Sequence, residues 1–100
     1  MIQWQNANRA EKRQLEAITI FLRHSPQLLD FLFETDFPKL NDSPAKLLAA
    51  ASGLPSSDFL LVRLALNLWC GGGEVQVHEI FDAEPEVLRS ILKSLTLLSA

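Results

Sequence analysis

The sequence predicts an all-α fold, a compact bundle of about five helices around one central apolar helix at about residues 57–70. Apolar residues recur at spacings of three and four over most of the chain, which is the periodicity of helices with one buried face. Serine followed by proline occurs at Ser25-Pro26 and at Ser43-Pro44, a pair typical of helix starts. Three consecutive glycines at 71–73 end the central apolar run.

The composition predicts one globular domain, residues 1–100. Nine Lys and Arg stand against twelve Asp and Glu, so the net charge is −3. With 48% apolar and 21% charged residues, the chain is too apolar to be disordered, and charges and prolines interrupt every stretch that could span a membrane. A single cysteine excludes a disulfide scaffold, and Met1–Asn8 has no signal-peptide pattern. We therefore expect a cytoplasmic protein that does not engage a membrane.

The first predicted helix follows Asn8 and ends near His24. Asn8 with Glu11 three residues later has the pattern of a capping box, in which each side chain bonds to the other residue's backbone. Charged residues occupy one side of this helix, and the expected buried stripe on the other side consists of Ala10, Leu15, Ala17, Ile18, Phe21 and Leu22.

The second helix should start at Ser25-Pro26, and it carries more apolar surface than one buried face needs. Gln27, Asp30 and Glu34 share one narrow edge of it. Apolar side chains cover more than half of the circumference, at Leu28, Leu29, Phe31, Leu32 and Phe33. The excess indicates a second contact besides the core.

The third and fourth helices are separated by a short turn. Residues 35–42 connect them to the second helix, Ser43-Pro44 starts the third, and Gly53 is predicted to end it as a left-handed C-cap. The fourth helix opens near Ser56 and continues to Cys70 with few polar residues. We expect the other helices to cover it on nearly every side.

The chain after the glycines contains one ambiguous segment and one clear helix. Residues 74–77 alternate like a strand, so a short extended segment is an alternative there to an irregular or helical one. Residues 78–82 fit a helical turn with Ile80 and Phe81 inward. The last helix runs from about residue 85 to 98, and its expected apolar face consists of Val87, Leu88, Ile91, Leu92, Leu95 and Leu98.

No sequence pattern predicts catalysis, a metal or a cofactor. Cys70 with His24 or His78 offers a nucleophile and a base, but the C-terminal end of a helix disfavours a thiolate. Two histidines and one cysteine at wide spacing form no recognisable zinc pattern. The glycines lack the Lys-Ser or Lys-Thr pair that a phosphate-binding loop requires. An enzyme whose site is assembled only in space is therefore the third hypothesis.

The preferred hypothesis is a protein–protein interaction module without catalytic activity, which forms a homodimer or binds another protein. Leu, Ile, Val, Phe, Trp and Met make up 37 of the 100 residues, while a domain of this length hides only about two-thirds of the surface of its unfolded chain. The surplus of the second helix predicts the contact residues Leu29, Phe31, Phe33 and Phe37. On this hypothesis, Phe33→Asp yields a folded monomer.

The alternative hypothesis is a helix-turn-helix regulator that binds DNA. Residues 48–62 resemble such a motif, and residues 77–95 are similar to the bihelical part of winged-helix regulators. In the second stretch, Arg89, Ser90 and Lys93 would face the DNA. Acidic residues precede them, and the chain has no excess of basic residues, so electrostatics favours the interaction module.

Overall fold

The computed structural model describes residues 8–34 and 39–99, and within them it contains six helices. These are α1 (Arg9–Leu22), α2 (Gln27–Leu32), α3 (Pro44–Ala51), α4 (Ser56–Cys70), α5 (Val77–Phe81) and α6 (Pro85–Ser99). The predicted all-α class is confirmed. Residues 74–76 belong to neither strand nor helix, the backbone of Gln76 is extended, and Val77 begins α5, so this segment forms no strand and is helical from Val77 onward.

Local sequence signals determine three of the helix ends. The Asn8 side chain accepts from the backbone N–H of Glu11 at 2.8 Å, and the Glu11 carboxylate accepts from the N–H of Asn8 at 3.0 Å, which completes the capping box of α1. The Ser43 hydroxyl accepts from a backbone N–H in the first turn of α3. Gly71 ends α4 with a φ of 75°, a conformation that glycine adopts without steric cost.

Two predicted helix ends are wrong. The Ser25 hydroxyl accepts no backbone N–H of α2, whose N-cap is Pro26, and it donates to Asp58 Oδ1 of α4 at 2.5 Å. Gly53 is not a left-handed C-cap, since the right-handed backbone of Ser52 closes α3 and its N–H bonds to the carbonyl of Ala49. Gly53 therefore lies near the end of α3 without adopting the left-handed conformation of a C-cap.

Helix α4 lies at the centre, as the sequence predicted, because it packs against α1, α2 and α3. Its buried side chains are Leu60, Leu61, Val62, Leu64, Ala65 and Leu66. All of these except Leu60 share one core cluster with residues of α1, α2, α3 and α6. At one side of this core the rings of Phe33 and Trp69 meet edge to face, with centroids 5.4 Å apart.

The pair α1 and α6 forms the most extensive helix contact of the fold. The two helices run antiparallel, since Arg13 donates to the carbonyl of Leu97 and His24 lies beside Ser90. Small residues line the contact: Ala17 and Ser94 are both 0% exposed, and the Ser94 hydroxyl donates to the Ala17 carbonyl at 2.6 Å. The two backbones therefore approach closely along this line. Ala10, at the N-terminal end of the predicted stripe, is exposed.

Candidate interaction surface

The α2 side chains predicted to bind a partner are used mostly by the chain's own core. Phe33 is 2% exposed and packs against Trp69, so its assignment to an interface is corrected to the core. Leu29 and Phe31 are half-buried and pack against the core cluster. Phe37 lies outside the described residues. The interface on α2 therefore stays a prediction for Leu29, Phe31 and Phe37 only.

Three parts of the chain cover α2, which is why Phe33 is buried. Both α1 and α4 pack against it. The segment after residue 39 returns to its end, where the Asn41 side-chain amide donates to the carbonyls of Asp30 and Phe31 at 2.7 and 3.0 Å. Phe33 also forms an isolated antiparallel bridge with Leu40. An apolar arc wider than one contact can thus be covered within a single chain.

The large apolar side chains that the described residues leave exposed lie on α5 and α6 instead. Val77 is 68% exposed, Phe81 62% and Leu92 44%. Val77 and Phe81 are one turn apart on one face of α5, and α5 packs against α6. Leu88, half-buried, lies one turn before Leu92 on α6. We call Val77, Phe81, Leu88 and Leu92 the α5–α6 apolar surface.

Sequence periodicity placed two of these side chains inside. Of the pair expected inward on α5, Ile80 packs against the core but Phe81 does not. On α6 the core side is centred on Ile91, at 0% exposed, so Leu92 lies at the edge of the apolar face and remains exposed. The missed signal was the width of this face, which exceeds what one contact with the core covers.

Arg63 of α4 attaches α5 to the rest of the fold. Its Nη1 donates to Glu79 Oε2 at 2.8 Å and to the backbone carbonyl of Glu74 at 3.2 Å. Its guanidinium also lies over the ring of Phe59, 4.8 Å from the ring centre. The Arg63 and Glu79 side chains are 21% and 30% exposed, so water screens the pair only partly. Helix α5 has no buried residue of its own, which makes this attachment important.

A polar cleft of about 710 Å³ lies between the start of α4 and the segment joining α5 to α6. His24, Ser25 and Asp58 line it, but they do not form a catalytic relay. The His24 Nε2 atom is 2.8 Å from the Ser90 hydroxyl, whereas Asp58 accepts from Ser25. A base oriented by a carboxylate, as nucleophilic catalysis requires, is therefore not assembled from these groups.

The other two candidate chemical groups, Cys70 and His78, do not line this cleft. Cys70 is exposed at the end of α4, and its thiol donates to the carbonyl of Leu66. His78 is exposed on α5. Within residues 8–34 and 39–99, no three His, Cys, Asp or Glu side chains come together as a potential metal site.

The three residues predicted to face DNA are not equally exposed. Arg89 and Lys93 are exposed on α6, but Ser90 is half-buried and contacts both His24 and the backbone carbonyl of Glu86. In the first helix-turn-helix likeness, the helix that would enter the groove is α4, whose Leu60 and Leu61 are buried at 6% and 2% exposure. A helix that forms the centre of the core cannot read base edges.

Comparisons of the chain with protein-family models, with curated proteins and with solved structures found no match. Across the described parts of the chain, no helix combines the length and the apolarity that crossing a bilayer requires. The fold thus defines the class, an all-α helical protein, and function has to be argued from the chemistry of its surfaces.

Proposed function

We propose that this protein is a helical protein–protein interaction module that self-associates through the α5–α6 apolar surface. The observation that supports the proposal is the exposure of Val77, Phe81 and Leu92 on two neighbouring helices. Single exposed apolar residues are ordinary on monomers, but several large ones on two helices that pack together indicate an interaction site. A cytoplasmic location and the absence of catalysis belong to the same proposal.

The size of this surface suits a small, reversible interface. If its three most exposed side chains offer about 100 Å² each, one copy contributes about 300 Å² of apolar area. A standard interface buries about 800 Å² per partner, of which a little over half is apolar, so these side chains supply roughly two-thirds of that apolar part. Burying both copies' patches is worth about 15 kcal/mol before association and ordering costs of similar size. We expect a weak, concentration-dependent dimer.

The charges around the surface favour a second copy of the chain as the partner. Asp82, Glu84 and Glu86 lie between α5 and the first turn of α6, while Arg89 and Lys93 follow further along α6. A two-fold axis turns the patch over onto itself, so that the acidic end of one copy meets the basic end of the other. A surface with both signs flanking an apolar centre is therefore complementary to itself.

Phe81→Asp tests the proposal, with mass in solution measured by light scattering over a range of concentrations. The wild-type chain should rise from one chain toward two, and Phe81→Asp should stay at one, because association would bury the new carboxylate. Ala50→Asp is the matched control, since it adds the same charge to an exposed position on α3. It should associate as the wild type does.

Three outcomes contradict the proposal. A wild-type chain that stays at the mass of one copy even at high concentration removes self-association altogether. Equal behaviour of Phe81→Asp and Ala50→Asp removes the α5–α6 apolar surface as its site. Association that survives Phe81→Asp but is lost in Leu29→Asp, in a variant shown by circular dichroism to be folded, returns the interface to α2.

A further inference from the structure

The outer face of the α1–α6 pair carries most of the positive charge of the chain. Six of the nine Lys and Arg residues lie on these two helices or at the end of α1, and all six are exposed: Arg9, Lys12, Arg13, Arg23, Arg89 and Lys93. Two exposed carboxylates, Glu16 and Glu86, lie on the same helices. We call the six basic residues the cationic face.

The packing of α1 against α6 places these cations on one side of the molecule. Ala17 and Ser94 mark the line along which the helices touch. At about 100° per residue, Arg9 and Arg23 lie roughly a quarter to a third of a turn around α1 from Ala17, away from the buried stripe. Lys93 lies roughly a quarter turn around α6 from Ser94, also away from the core. The two sets of side chains therefore border one another.

Most of these cations have no carboxylate partner among the described residues. The ion pairs between described residues are Lys46–Asp42 and Arg63–Glu79, neither of which involves the cationic face. Arg13 is the member held by the backbone, through the Leu97 carbonyl. Four carboxylates line the polar cleft, at Asp58, Glu79, Asp82 and Glu84, whereas three lie on α1 and α6, at Glu11, Glu16 and Glu86. The net charge of −3 thus hides a strong separation of charge.

We propose that the cationic face binds the phosphate backbone of duplex DNA without reading its base sequence. From Arg9 to Arg23 the face extends about 21 Å, and two packed helices lie about 8–10 Å apart. Phosphates follow one another at about 3.4 Å of axis per strand, so the face spans roughly six steps of a duplex. Because Ser90 is engaged with His24, α6 offers cations here but no array of base-reading side chains.

An anionic membrane fits this face less well than a nucleic acid does. Helices that lie on bilayers insert large apolar side chains between the lipid headgroups. On the outer side of the pair, the apolar residues Ile20 and Leu97 are half-buried, and the strongly exposed Phe81 belongs to a different surface. This binding uses neither the α5–α6 apolar surface nor self-association, so it goes beyond the function proposed above.

The salt dependence of binding tests the proposal by counting the phosphates that are neutralised. A fluorescent duplex of about 20 base pairs and arbitrary sequence is titrated with protein, and anisotropy is measured at about 50 and 200 mM NaCl. The five cations that form no ion pair with described residues predict a slope of log K against log salt of about −4.5, a loss of about 500-fold over this range. Arg23→Gln combined with Arg89→Gln should lower the slope to about −2.7, a loss of about 40-fold.

The matched control removes two positive charges from positions outside the cationic face. Lys39→Gln combined with Lys46→Gln changes two exposed lysines outside the cationic face, and it should keep the wild-type slope. Equal slopes in the two double variants overturn the proposal, because only net charge would then matter. No anisotropy change at the lower salt concentration also overturns it.

Two further experiments distinguish duplex binding from membrane binding and from self-association. Binding to vesicles of phosphatidylserine and phosphatidylcholine in a sedimentation assay, without binding to the duplex, overturns the proposal in favour of a lipid surface. Phe81→Asp should keep the difference of about 1.8 between the slopes with and without the two arginine changes. If Phe81→Asp abolishes duplex binding, the cationic face is not sufficient by itself, and the inference fails independently of whether the chain dimerises.

Discussion

At the scale of single residues, Phe33 and Phe81 show why an apolar side chain cannot be assigned from composition alone. Phe33 directly follows α2 and Phe81 is the last residue of α5, yet Phe33 is 2% exposed and Phe81 62%. The difference comes from neighbours distant in sequence: Trp69 covers Phe33, whereas nothing comparable covers Phe81 within the described residues. Sequence spacing reports the periodicity of a helix and not the number of its neighbours.

Phe33→Asp should therefore unfold the protein rather than release a folded monomer. The change leaves a cavity beside Trp69 and places a carboxylate without a partner among core residues, which together cost more than about 4 kcal/mol. Urea denaturation followed by Trp fluorescence and far-ultraviolet circular dichroism measures this loss. Phe81→Asp is the matched control and should stay folded within about 0.5 kcal/mol of the wild type. A folded Phe33→Asp protein would return Phe33 to the surface.

Gly73 is the second position at which a single side chain decides stability. A Cβ atom at Gly73 would collide with the backbone carbonyl of Arg63, which cannot move without distorting α4. Gly73→Ala should therefore lower the free energy of unfolding by about 2–3 kcal/mol. Gly71→Ala should cost about 1 kcal/mol, through the positive φ alone.

Gly53→Ala is the control for both changes. Among the described residues, and apart from Gly53 itself and its two chain neighbours, no atom lies within 4 Å of a Cβ placed at Gly53, and its φ is not positive. The substitution should leave stability unchanged or raise it by about 0.5 kcal/mol, because alanine restricts the unfolded chain. Denaturant midpoints of the three variants give the order directly. A Gly53→Ala protein as unstable as Gly73→Ala would show that the turns after α3 and α4 are equally strained.

At the scale of helices, the sequence predicted best what depends on local chemistry. The capping box of α1, the Ser43 cap of α3 and the Gly71 end of α4 each involve groups within a few residues of one another, and all three are formed. The predicted cap of α2 at Ser25 was wrong, because the Ser25 hydroxyl is oriented by Asp58, which is 33 residues away in the sequence. The character of α5 could not be decided because a five-residue helix is too short to show periodicity.

The candidate site was less predictable than the fold, since long-range contacts position it. Neither the spacing of Arg63 and Glu79, sixteen residues apart, nor the composition indicates that they pair and attach α5 to α4. The exposed edge of α6 depends on how the helix is rotated against α1, which the buried Ser94 shows and no hydrophobic pattern encodes. Polar residues at helix contacts escape methods that search only for apolar stripes.

Arg63→Met should loosen α5 while the helical core persists. The change leaves Glu79 half-buried without its cation, and because the pair is partly exposed we expect a loss of about 1–2 kcal/mol. Arg63 Nε is buried without a hydrogen-bond partner among the described residues, a cost that reduces the net value of the pair. Amide hydrogen exchange should accelerate first at Asp82 and Ala83, whose N–H groups bond to α5 carbonyls.

Arg89→Met is the control for this helix-scale prediction. It removes the same charge from an exposed residue of α6 that forms no ion pair with described residues, and stability should change by less than about 0.5 kcal/mol. Unchanged exchange at Asp82 and Ala83 in Arg63→Met would show that contacts with α6 alone hold α5 in place.

At the scale of the whole molecule, the α5–α6 apolar surface and the cationic face are neighbouring surfaces of one small protein, and Arg89 and Lys93 of α6 border both. The Cα radius of gyration is 12.6 Å, close to the value of about 13 Å typical of compact domains of this length. The core described here is therefore not an opened one that waits for a partner to complete it. The two proposed contacts involve the surface of a folded core. Self-association would be driven by burial of apolar side chains, and duplex binding by charge.

Salt should separate these two contacts. Raising NaCl from about 50 to 200 mM shortens the Debye length and restores the counterions of DNA, so duplex binding should fall by orders of magnitude. Self-association rests on apolar burial, and its dissociation constant should change less than about threefold over the same range. Sedimentation equilibrium and anisotropy measure the two quantities on one preparation. Self-association that falls as steeply as duplex binding would show that opposite charges, and not the α5–α6 apolar surface, hold the copies together.

The pairing of the first and last helices has a consequence for synthesis on the ribosome. Residues 13 and 97 are in contact, so α1 emerges well before the helix that covers one side of it has been translated. A nascent chain must keep Leu15, Ile18 and Phe21 from aggregating until α6 has left the exit tunnel. Docking of α6 closes residues 13–97 into one loop, and this step should commit these residues to their native state.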